Sequence, residues 1–389
     1  MNGVVFVKFL DIMKPLYLDN AATTKVCPEV VKEMLPYFKE KYGNPSSLHA
    51  LGENAKEAIN KARTILAKEI NAKPQEITFT SGGTESNNLA IQGLKRAFPG
   101  KRIVIISEIE HPSIQEPCNY LQARKYKIIK IPVNKEGIIN LDTLEKEIKN
   151  NLQDILLVSI MHVNNILGTI QDIEKIGLLC KLNNLPFHTD TVQSFGKLNI
   201  DVKKFNIDLL SASGHKIGAQ KGIGFLYIKE KANISPLMFG GGQERNLRSG
   251  TENVPGIMGM AKALEITKKI NKNKILEIRN KLITELEKIG GMLNGSKSDR
   301  IYNNIHVSFP SADANSLVLF LSKKGIYVSA GSACDSKKER EDHVLKAIKL
   351  NQENINSSIR ISLNEDIKEN HIKTIIQEII KALKILKIK

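Results

Sequence analysis

In Ser211-Ala212-Ser213-Gly214-His215-Lys216-Ile217-Gly218, one lysine stands among small residues between two apolar runs. We predict that these runs, Ile207–Leu210 and Gly222–Tyr227, are short buried strands. A lysine between two core strands needs its charge paired, its pKa lowered, or its amine bound covalently to a carbonyl group. Because the chain has 57 lysines and arginines, Lys216 alone does not decide between an ordinary lysine and Schiff-base chemistry.

From about residue 25 to 265, the sequence alternates amphipathic helical windows with short apolar runs. The runs that we predict to be strands are Glu76–Phe79, Arg102–Ile106, Lys127–Ile131 and Ile155–Ile160. This alternation is typical of an α/β fold in which helices cover a mainly parallel sheet. Ligands of such sheets gather beyond the carboxyl ends of the strands, so we expect the functional polar residues there.

The pattern changes after the glycine-rich loop at residues 240–242. A long stretch from roughly Pro255 to Ile289 predicts one connecting helix, and later apolar runs predict strands mixed with helices. These runs are Ile305–Phe309, Ile326–Ser329 and Ser358–Ser362. We therefore expect a large domain at residues 21–263, and a smaller α+β domain formed by residues 1–20 and 264–389.

The composition is that of a globular protein, since 41% of the 389 residues are hydrophobic and the chain is long enough for two buried cores. Its formal net charge of +16 would by itself fit a nucleic acid, an anionic membrane surface or an acidic protein as partner. The lysines are spread along the whole chain, however, without a dense arginine stripe. The basic segment Lys381–Lys389 is more typical of a terminal helix with a solvated face.

The four cysteines, Cys27, Cys118, Cys180 and Cys334, are widely separated and form no Cys-x-x-Cys pair. Their spacing favours neither a zinc site nor a disulfide framework, and it fits a reducing cytoplasm. No apolar stretch reaches the length that spans a membrane, and the run Val4–Val7 lacks a signal-peptide cleavage site. We expect a cytoplasmic protein with no metal site and no membrane span.

A candidate phosphate site follows the strand that ends near Phe79. Residues Thr80–Asn87 carry two glycines and several hydroxyl groups, and they lead into a helix that we predict to begin near Glu85. Free amide groups at the start of a helix bind anions, and glycines let a ligand approach closely. An ordinary capped helix is the alternative interpretation.

Other predicted strand ends also carry polar side chains. Asp190 would pair with a protonated pyridine nitrogen or serve as a helix N-cap, and the amide of Gln193 follows it. His111 would stack on a ring, move a proton or have a structural role. The amides of Asn164 and Asn165 would reach a ring oxygen or a substrate carboxylate.

None of these groups identifies a cofactor alone, but together they match the needs of pyridoxal 5'-phosphate. The ring of this cofactor takes up electrons, while the protein holds its phosphate, keeps its nitrogen protonated and supplies a lysine for the aldimine. The coincidence of all these groups at strand ends predicts a site for this cofactor.

The chain resembles the cysteine desulfurases of the NifS/IscS type, in the class V aminotransferase group of fold-type I pyridoxal phosphate enzymes. Besides the motifs above, the resemblance rests on Tyr17–Thr24, Gly43–Ser47, Arg248–Thr251 and Gly331–Cys334, and it covers nearly the whole chain. It implies a fold-type I transferase whose large domain has a mainly parallel sheet of the seven-stranded type. It also implies a homodimer.

The resemblance further implies a role for each site residue. Around the cofactor ring it places the aldimine lysine Lys216, Asp190 on the pyridine nitrogen, Gln193 on the ring hydroxyl and His111 stacked on the ring. Around the phosphate it places Gly83, Thr84, Ser213 and His215, together with Thr251 from the second subunit. The substrate carboxylate would be held by Asn165 and Arg360.

Cys334 follows a run of small residues and precedes a segment rich in charge, residues 335–342. A thiolate needs exposure and nearby positive charge, which Lys337, Lys338 and Arg340 would supply and Asp335 would oppose. A small buried hydrophobic residue is the alternative for a lone cysteine. The resemblance implies that the Cys334 thiolate attacks the substrate sulfur and keeps it as a persulfide.

The reaction implied by the resemblance converts L-cysteine to L-alanine. Lys216 would take the Cα proton, His111 would assist proton transfer, and Cys334 would pass sulfur to an iron–sulfur scaffold protein or a tRNA-thiolation protein. A transient iron–sulfur cluster contact at Cys334 is also implied. The alternatives are a selenocysteine lyase, an aminotransferase, or a non-catalytic basic scaffold. The chain departs from the usual family residues at Ile166, Gly218–Gln220 and Asn364–Asp366.

Overall fold

The computed structural model describes residues 15–230, 232–310, 312–330 and 342–386. Residues 331–341, which include Cys334 and most of the charged segment 335–342, therefore lie outside the described residues. The strands are β1 (Leu16–Tyr17), β2 (Ile77–Thr80), β3 (Ile103–Ser107), β4 (Lys127–Ile131), β5 (Ile155–Ser159), β6 (Phe187–Asp190), β7 (Leu209–Ser213), β8 (Gly224–Ile228), β9 (Met292–Leu293), β10 (Asn304–Ser308), β11 (Ile326–Tyr327), β12 (Ser329–Ala330) and β13 (Ser358–Ser362).

The strands alternate with α-helices over most of the chain. The helices are α1 (Pro28–Met34), α2 (Pro36–Lys39), α3 (Ala50–Glu69), α4 (Gly83–Ala97), α5 (Pro112–Gln122), α6 (Leu141–Asn151), α7 (Ile173–Leu182), α8 (Val254–Thr267), α9 (Lys272–Lys288), α10 (Ala314–Lys323), α11 (Asp342–Ala347), α12 (Gln352–Asn356) and α13 (Glu369–Leu386). Short 3₁₀ turns cover Pro74–Glu76, Leu152–Asp154, Gly214–Lys216 and Glu244–Asn246. Within the described residues, no helix is both long enough and apolar enough to cross a membrane.

The central sheet has seven strands in the order β2-β8-β7-β6-β5-β3-β4. Strand β8 is antiparallel to both of its neighbours, and every other pair in the sheet is parallel. The predicted α/β fold with a mainly parallel sheet is therefore confirmed. All strands except β8 point their carboxyl ends to the same edge, which is where a ligand site is expected.

Burial explains which apolar runs became central strands. All five residues of β3 and of β5 are buried, as expected for strands that helices cover on both faces. Strand β4 lies at the edge of the sheet and exposes Lys127 and Lys130. Lysines on an edge strand discourage pairing with another chain, so the charged positions of β4 suit its place.

A second sheet lies in the C-terminal part of the chain, in the antiparallel order β12-β13-β10-β9, and β1 pairs in parallel with β11. A separate hydrophobic core is formed mainly by residues after 270, together with Leu18 from the N-terminal segment. The core around the central sheet also takes in Val344, Leu345 and Ile348 from the C-terminal part. The core after residue 270 also takes in Val163, and residues 1–14 lie outside the described residues, so the division into residues 21–263 and residues 1–20 with 264–389 stays a prediction.

The single helix predicted from Pro255 to Ile289 is two helices, and this prediction was wrong. Helix α8 ends at Thr267, and α9 begins at Lys272 after a short turn. The side chain of Asn271 accepts a hydrogen bond from the Lys274 amide at 3.0 Å, which caps α9. An asparagine side chain competes with helical backbone hydrogen bonds, so it interrupts a pattern that otherwise reads as continuous.

Candidate active site

The lysine of the opening stretch lies in the 3₁₀ turn Gly214–Lys216, which connects β7 to β8. The close packing of the strands at this edge requires glycine at the first position of β8. A Cβ atom on Gly224 would meet the Ala212 carbonyl oxygen at 2.5 Å and the Gly82 Cα at 2.6 Å. The sequence therefore places Lys216 at the point where β2, β7 and β8 come together.

A cavity of about 440 Å³ opens at this edge of the sheet. Most residues predicted for the site line it, namely Gly83, Thr84, His111, Asn165, Asp190, Gln193, Ser213, His215, Lys216 and Arg360. Thr251 is exposed and is absent from the lining of this cavity. Residues spread over almost 280 positions of sequence thus meet around one space, as the strand-end argument predicted.

The amine of Lys216 is held by backbone carbonyl groups of the N-terminal segment. Its Nζ donates hydrogen bonds to the carbonyl oxygens of Ala21 and Ala22, each at 2.6 Å. The Gln193 side chain donates to the Ala21 oxygen as well, at 2.9 Å. Sequence reasoning missed these two alanines, because backbone carbonyl groups leave no side-chain signal.

Asp190 is the last residue of β6, and its side chain is buried. Its Oδ2 accepts a hydrogen bond from the Asn87 side chain at 2.8 Å, and its Oδ1 accepts one from the Val192 amide at 2.9 Å. The residues directly after Asp190 form turns and do not begin a helix, so Asp190 is not a helix N-cap. Asn87 orients this carboxylate from α4, a role that its place in the Thr80–Asn87 motif did not reveal.

His111 both caps a helix and faces the cavity. Its Nδ1 accepts a hydrogen bond from the Ser113 amide at 3.1 Å, at the start of α5. Burial lowers the pKa of His111, and the nearby charges of Lys216 and His343 lower it further, whereas Asp190 raises it. The imidazole is therefore neutral at physiological pH, and an accepting Nδ1 assigns its proton to Nε2.

The start of α4 forms an anion-binding cup. The helix begins at Gly83, two residues before the predicted start, and the amide groups of Gly83, Thr84 and Glu85 have no acceptor among the described residues. Gly82 has a φ of +149°, which favours glycine, and it provides no side-chain cap. A Cβ on Gly83 would meet Val192 Cγ2 at 2.6 Å, so a glycine is needed there as well. The open amide groups favour a bound anion over an ordinary capped helix.

His215 lies beside this cup. Burial lowers the pKa of its imidazole to about 4, and the positive charge of Lys216 contributes to the shift. Its Nδ1 pairs with the Thr23 hydroxyl at 3.1 Å. The ring is thus neutral at physiological pH and contributes a hydrogen-bonding group, but no charge, to the cup.

The opposite wall of the cavity contains a buried guanidinium. Arg360, on β13, donates to Asp19 Oδ1 at 2.8 Å and to the Asn165 carbonyl oxygen at 3.1 Å. Its Nε is buried and has no acceptor among the described residues. The two amides predicted for this region differ in role, because Asn164 Oδ1 is used by the amides of Ile166 and Leu167, whereas Asn165 lines the cavity. Arg360 and Asn165 thus present donors that suit a carboxylate.

Glu110 is a site residue that sequence reasoning missed. Its Oε1 accepts hydrogen bonds from the Ser107 hydroxyl at 2.5 Å and from the Met161 amide at 2.9 Å. Its Oε2 is buried and has no partner among the described residues. Burial, with a smaller contribution from the charge of Asp190, raises the pKa of this carboxyl to about 8. Glu110 is therefore a neutral carboxylic acid at pH 7, which its position beside His111 did not indicate.

We expect Glu110→Gln to remove a pH dependence of stability. Between about pH 4.5 and 8 the folded protein keeps a proton on Glu110 that the unfolded chain releases, so stability falls as pH rises through this window and levels off above it. The slope for one such group approaches about 1.4 kcal/mol per pH unit. Urea unfolding of both proteins at several pH values from 5 to 9 measures the difference.

The matched variant for this experiment is Glu110→Ala. It also lacks the titrating proton, but it loses the two hydrogen bonds to Oε1, so we expect it to be less stable than Glu110→Gln at every pH. Parallel pH profiles of the wild-type protein and Glu110→Gln would contradict the assignment of a neutral carboxyl.

Comparison with known proteins agrees with this geometry. The family model for class-V aminotransferases matches residues 16–375. The chain belongs to the class-V aminotransferase family. Within this family, it is 45% identical over 381 residues to a protein from Methanosarcina thermophila named "Cysteine desulfurase IscS", covering 95% of this chain and 93% of that protein.

Solved structures show the same relationship. A structure described as "NIFS-LIKE PROTEIN" superposes with a TM-score of 0.89 at 37% identity, covering 96% of this chain and all of that one. Another, described as "SspA in complex with cysteine", has a TM-score of 0.80 at 38% identity, covering 90% of this chain and 98% of that one. This class-V aminotransferase therefore has the fold-type I architecture that the sequence predicted, and it is similar over most of its length to proteins named as cysteine desulfurases.

Proposed function

We propose that this class-V aminotransferase is a cysteine desulfurase that uses pyridoxal 5'-phosphate to convert L-cysteine to L-alanine. The observation that carries the proposal is the meeting of Lys216, Asp190, an open helix start and Arg360 around one cavity. The relatives named cysteine desulfurase, at 45% identity over most of both chains, support the same reaction.

The residues around the cavity fit the cofactor. Lys216 would bind its aldehyde carbon, Asp190 would accept a hydrogen bond from the protonated ring nitrogen, and Gln193 would face the ring hydroxyl. The open amides at the start of α4, with Ser213 and His215, would hold the phosphate. When bound, the cofactor supplies an electron sink for the electrons of the substrate Cα–H bond.

The substrate carboxylate would lie against Arg360 and Asn165. The free Nε of Arg360 and the hydrogen bond of its Nη2 to Asp19 leave a fixed donor group directed to the cavity. Met161, Ile166 and Val344 line the same cavity and suit an uncharged thiol side chain. The relative solved with cysteine supports cysteine as substrate.

Two groups of the site would handle protons. The amine of Lys216, once released and neutral, would take the proton from the substrate Cα. His111, neutral with its proton on Nε2, would donate a hydrogen bond or move a proton within the same cavity. Asp190 opposes the lowering of the His111 pKa and lines the same cavity as both groups.

Sulfur transfer would use Cys334, which lies outside the described residues. Its thiolate sulfur would bond to the substrate sulfur as the substrate C–S bond breaks, and the electron pair would remain on Cβ. Cβ would then take a proton and become the methyl group of alanine, while the transferred sulfur stays on Cys334 as a persulfide. No external oxidant or reductant is required, because the Cβ atom that becomes the methyl carbon keeps the two electrons of the C–S bond that the transferred sulfur loses.

We also propose a homodimer in which Thr251 reaches the cofactor phosphate of the second subunit. Several large apolar side chains are exposed on the single chain, namely Val31, Leu35, Phe38, Leu48 and Phe239. Apolar side chains concentrated near residues 31–48 support a covered surface in the dimer.

The sulfur acceptor would be an iron–sulfur scaffold protein or a tRNA-thiolation protein, with a transient cluster contact at Cys334. The free thiols Cys27, Cys118 and Cys180 fit a reducing cytoplasm.

Product analysis tests the proposed reaction. With L-cysteine and excess dithiothreitol, we expect equal amounts of alanine and sulfide, and the yellow protein should lose its band on borohydride reduction with label on Lys216. Alanine from L-selenocysteine but none from L-cysteine would show a selenocysteine lyase instead. Amino transfer to an added keto acid without sulfide would show an aminotransferase, and colourless protein after cofactor addition would indicate a scaffold.

A further inference from the structure

Lys197 is a buried lysine with no role in the reaction described above. It lies in the turn that follows β6, four residues after Gln193, and only 6% of its surface is exposed. No hydrogen-bond acceptor or carboxylate pairs with its side chain among the described residues. A lysine is seldom buried in this way, because an unpaired ammonium loses its hydration without compensation.

The side chain of Lys197 faces a second cavity, of about 260 Å³, whose wall Lys216 shares. Lys216 lines both this cavity and the cavity at the strand ends, so it borders the two spaces. The titratable groups that line the second cavity with Lys197 are Lys25, Cys27, Lys216, Tyr302, Glu365 and Asp366. Of these, Lys25, Glu365 and Asp366 are exposed, which leaves Lys216 as the cation that faces Lys197 inside.

A further positive charge, that of Lys272, lies against the turn that contains Lys197. The amine of Lys272, on α9, donates to the carbonyl oxygens of Gly196 and Lys197 at 3.1 and 2.7 Å. Burial, together with the positive charges of Lys216 and Lys272, lowers the pKa of Lys197 to about 7. His215, beside Lys216, is neutral. Lys197 is thus surrounded by amines, and no described carboxylate holds a proton on it.

We propose that Lys197 is a positioning residue for Lys216, in which the two amines share a single positive charge. When Lys216 is an ammonium bound to the carbonyl oxygens of Ala21 and Ala22, Lys197 is the neutral amine. When Lys216 carries no charge, Lys197 takes up the proton through the second cavity. A positive charge on Lys197 would repel a second positive charge on Lys216, and it would therefore favour the neutral, nucleophilic Lys216 amine that the reaction needs. This inference rests on the proposed function of Lys216.

The inference is tested first in the protein freed of cofactor. The rate at which an amine reagent such as acetic anhydride labels Lys216, followed by peptide mass spectrometry across pH, reports the pKa of its amine. We expect Lys197→Met to raise this pKa by about one unit or more, because a like charge is removed. Lys197→Arg, which carries a permanent charge, is expected to lower it. The matched control is Lys25→Met, at the exposed rim of the second cavity, which should leave the pKa of Lys216 unchanged.

A second measurement uses the cofactor-loaded enzyme, in which the pH midpoint of the visible band should move in the same two directions. An unchanged Lys216 pKa in both Lys197 variants, with normal folding by circular dichroism, would overturn the inference. If Lys197→Met does not fold, the downward shift in Lys197→Arg still decides the question. Failure of the proposed function would look different, because no visible band would form on wild-type protein whatever the labelling showed.

Discussion

Replacement of Lys216 by alanine is expected to lower alanine formation from L-cysteine by at least about 10⁴-fold, because both covalent attachment and proton transfer lose their amine. The protein should still fold, since Lys216 lies in a turn at the edge of the sheet and its hydrogen bonds to Ala21 and Ala22 are made to backbone carbonyl groups. Alanine formation under single-turnover conditions, with mass spectrometry after borohydride reduction, measures both effects.

Lys216→Arg is the matched variant. A guanidinium keeps the positive charge and can still donate to the two carbonyl groups, but it is not a nucleophile at neutral pH. We therefore expect it to be as inactive as Lys216→Ala and to be no less stable than the wild-type protein by more than about 1 kcal/mol. Substantial turnover in either variant would exclude Lys216 as the lysine of the reaction.

Replacement of Cys334 by alanine is expected to reduce sulfide and alanine formation to the level of the cofactor alone, a loss of about 10³-fold or more, since the nucleophile is removed. Cofactor binding should be unaffected, because none of the described residues that would hold the cofactor changes. The visible band should therefore form normally and should respond to added L-cysteine while product does not appear. Sulfide release and the absorbance spectrum measure these two results.

The matched control for Cys334 is Cys27→Ala. Cys27 is half-buried and lines the second cavity beside Lys216, but burial and the carboxylates of Glu365, Glu29 and Asp366 raise the pKa of its thiol. A thiol with a raised pKa forms little thiolate at neutral pH, so it is a poor nucleophile. We expect Cys27→Ala to retain full sulfide release. A loss in Cys27→Ala with normal turnover in Cys334→Ala would transfer the nucleophile to Cys27.

Much of this site could be read from short stretches of sequence. Asp190, His111 and the start of α4 were identifiable because each follows an apolar run, and the carboxyl ends of parallel strands meet at one edge. The sequence did not reveal the protonation states of the buried groups. The neutral Glu110 carboxyl and the buried Lys197 amine depend on what packs around them, and an isolated Glu or Lys in the sequence carries no record of that packing.

Helix boundaries show the same limit. The periodicity from Pro255 to Ile289 is continuous, yet the cap of Asn271 divides it into α8 and α9. A side-chain hydrogen bond such as that of Asn271 interrupts a helix only where the backbone has room to change direction. The packing of the neighbouring helices decides where that room exists.

By itself, the sequence of this class-V aminotransferase determined the α/β fold and the motifs at the strand ends, because hydrophobic periodicity and short motifs are local properties of the chain. The resemblance of those motifs to known proteins indicated the family. Only the tertiary structure decided that Ala21 and Ala22 hold the Lys216 amine, that Asn87 orients Asp190, and that Lys197 faces Lys216 across a second cavity. These are contacts between segments distant in sequence, and burial at those contacts sets which groups are charged.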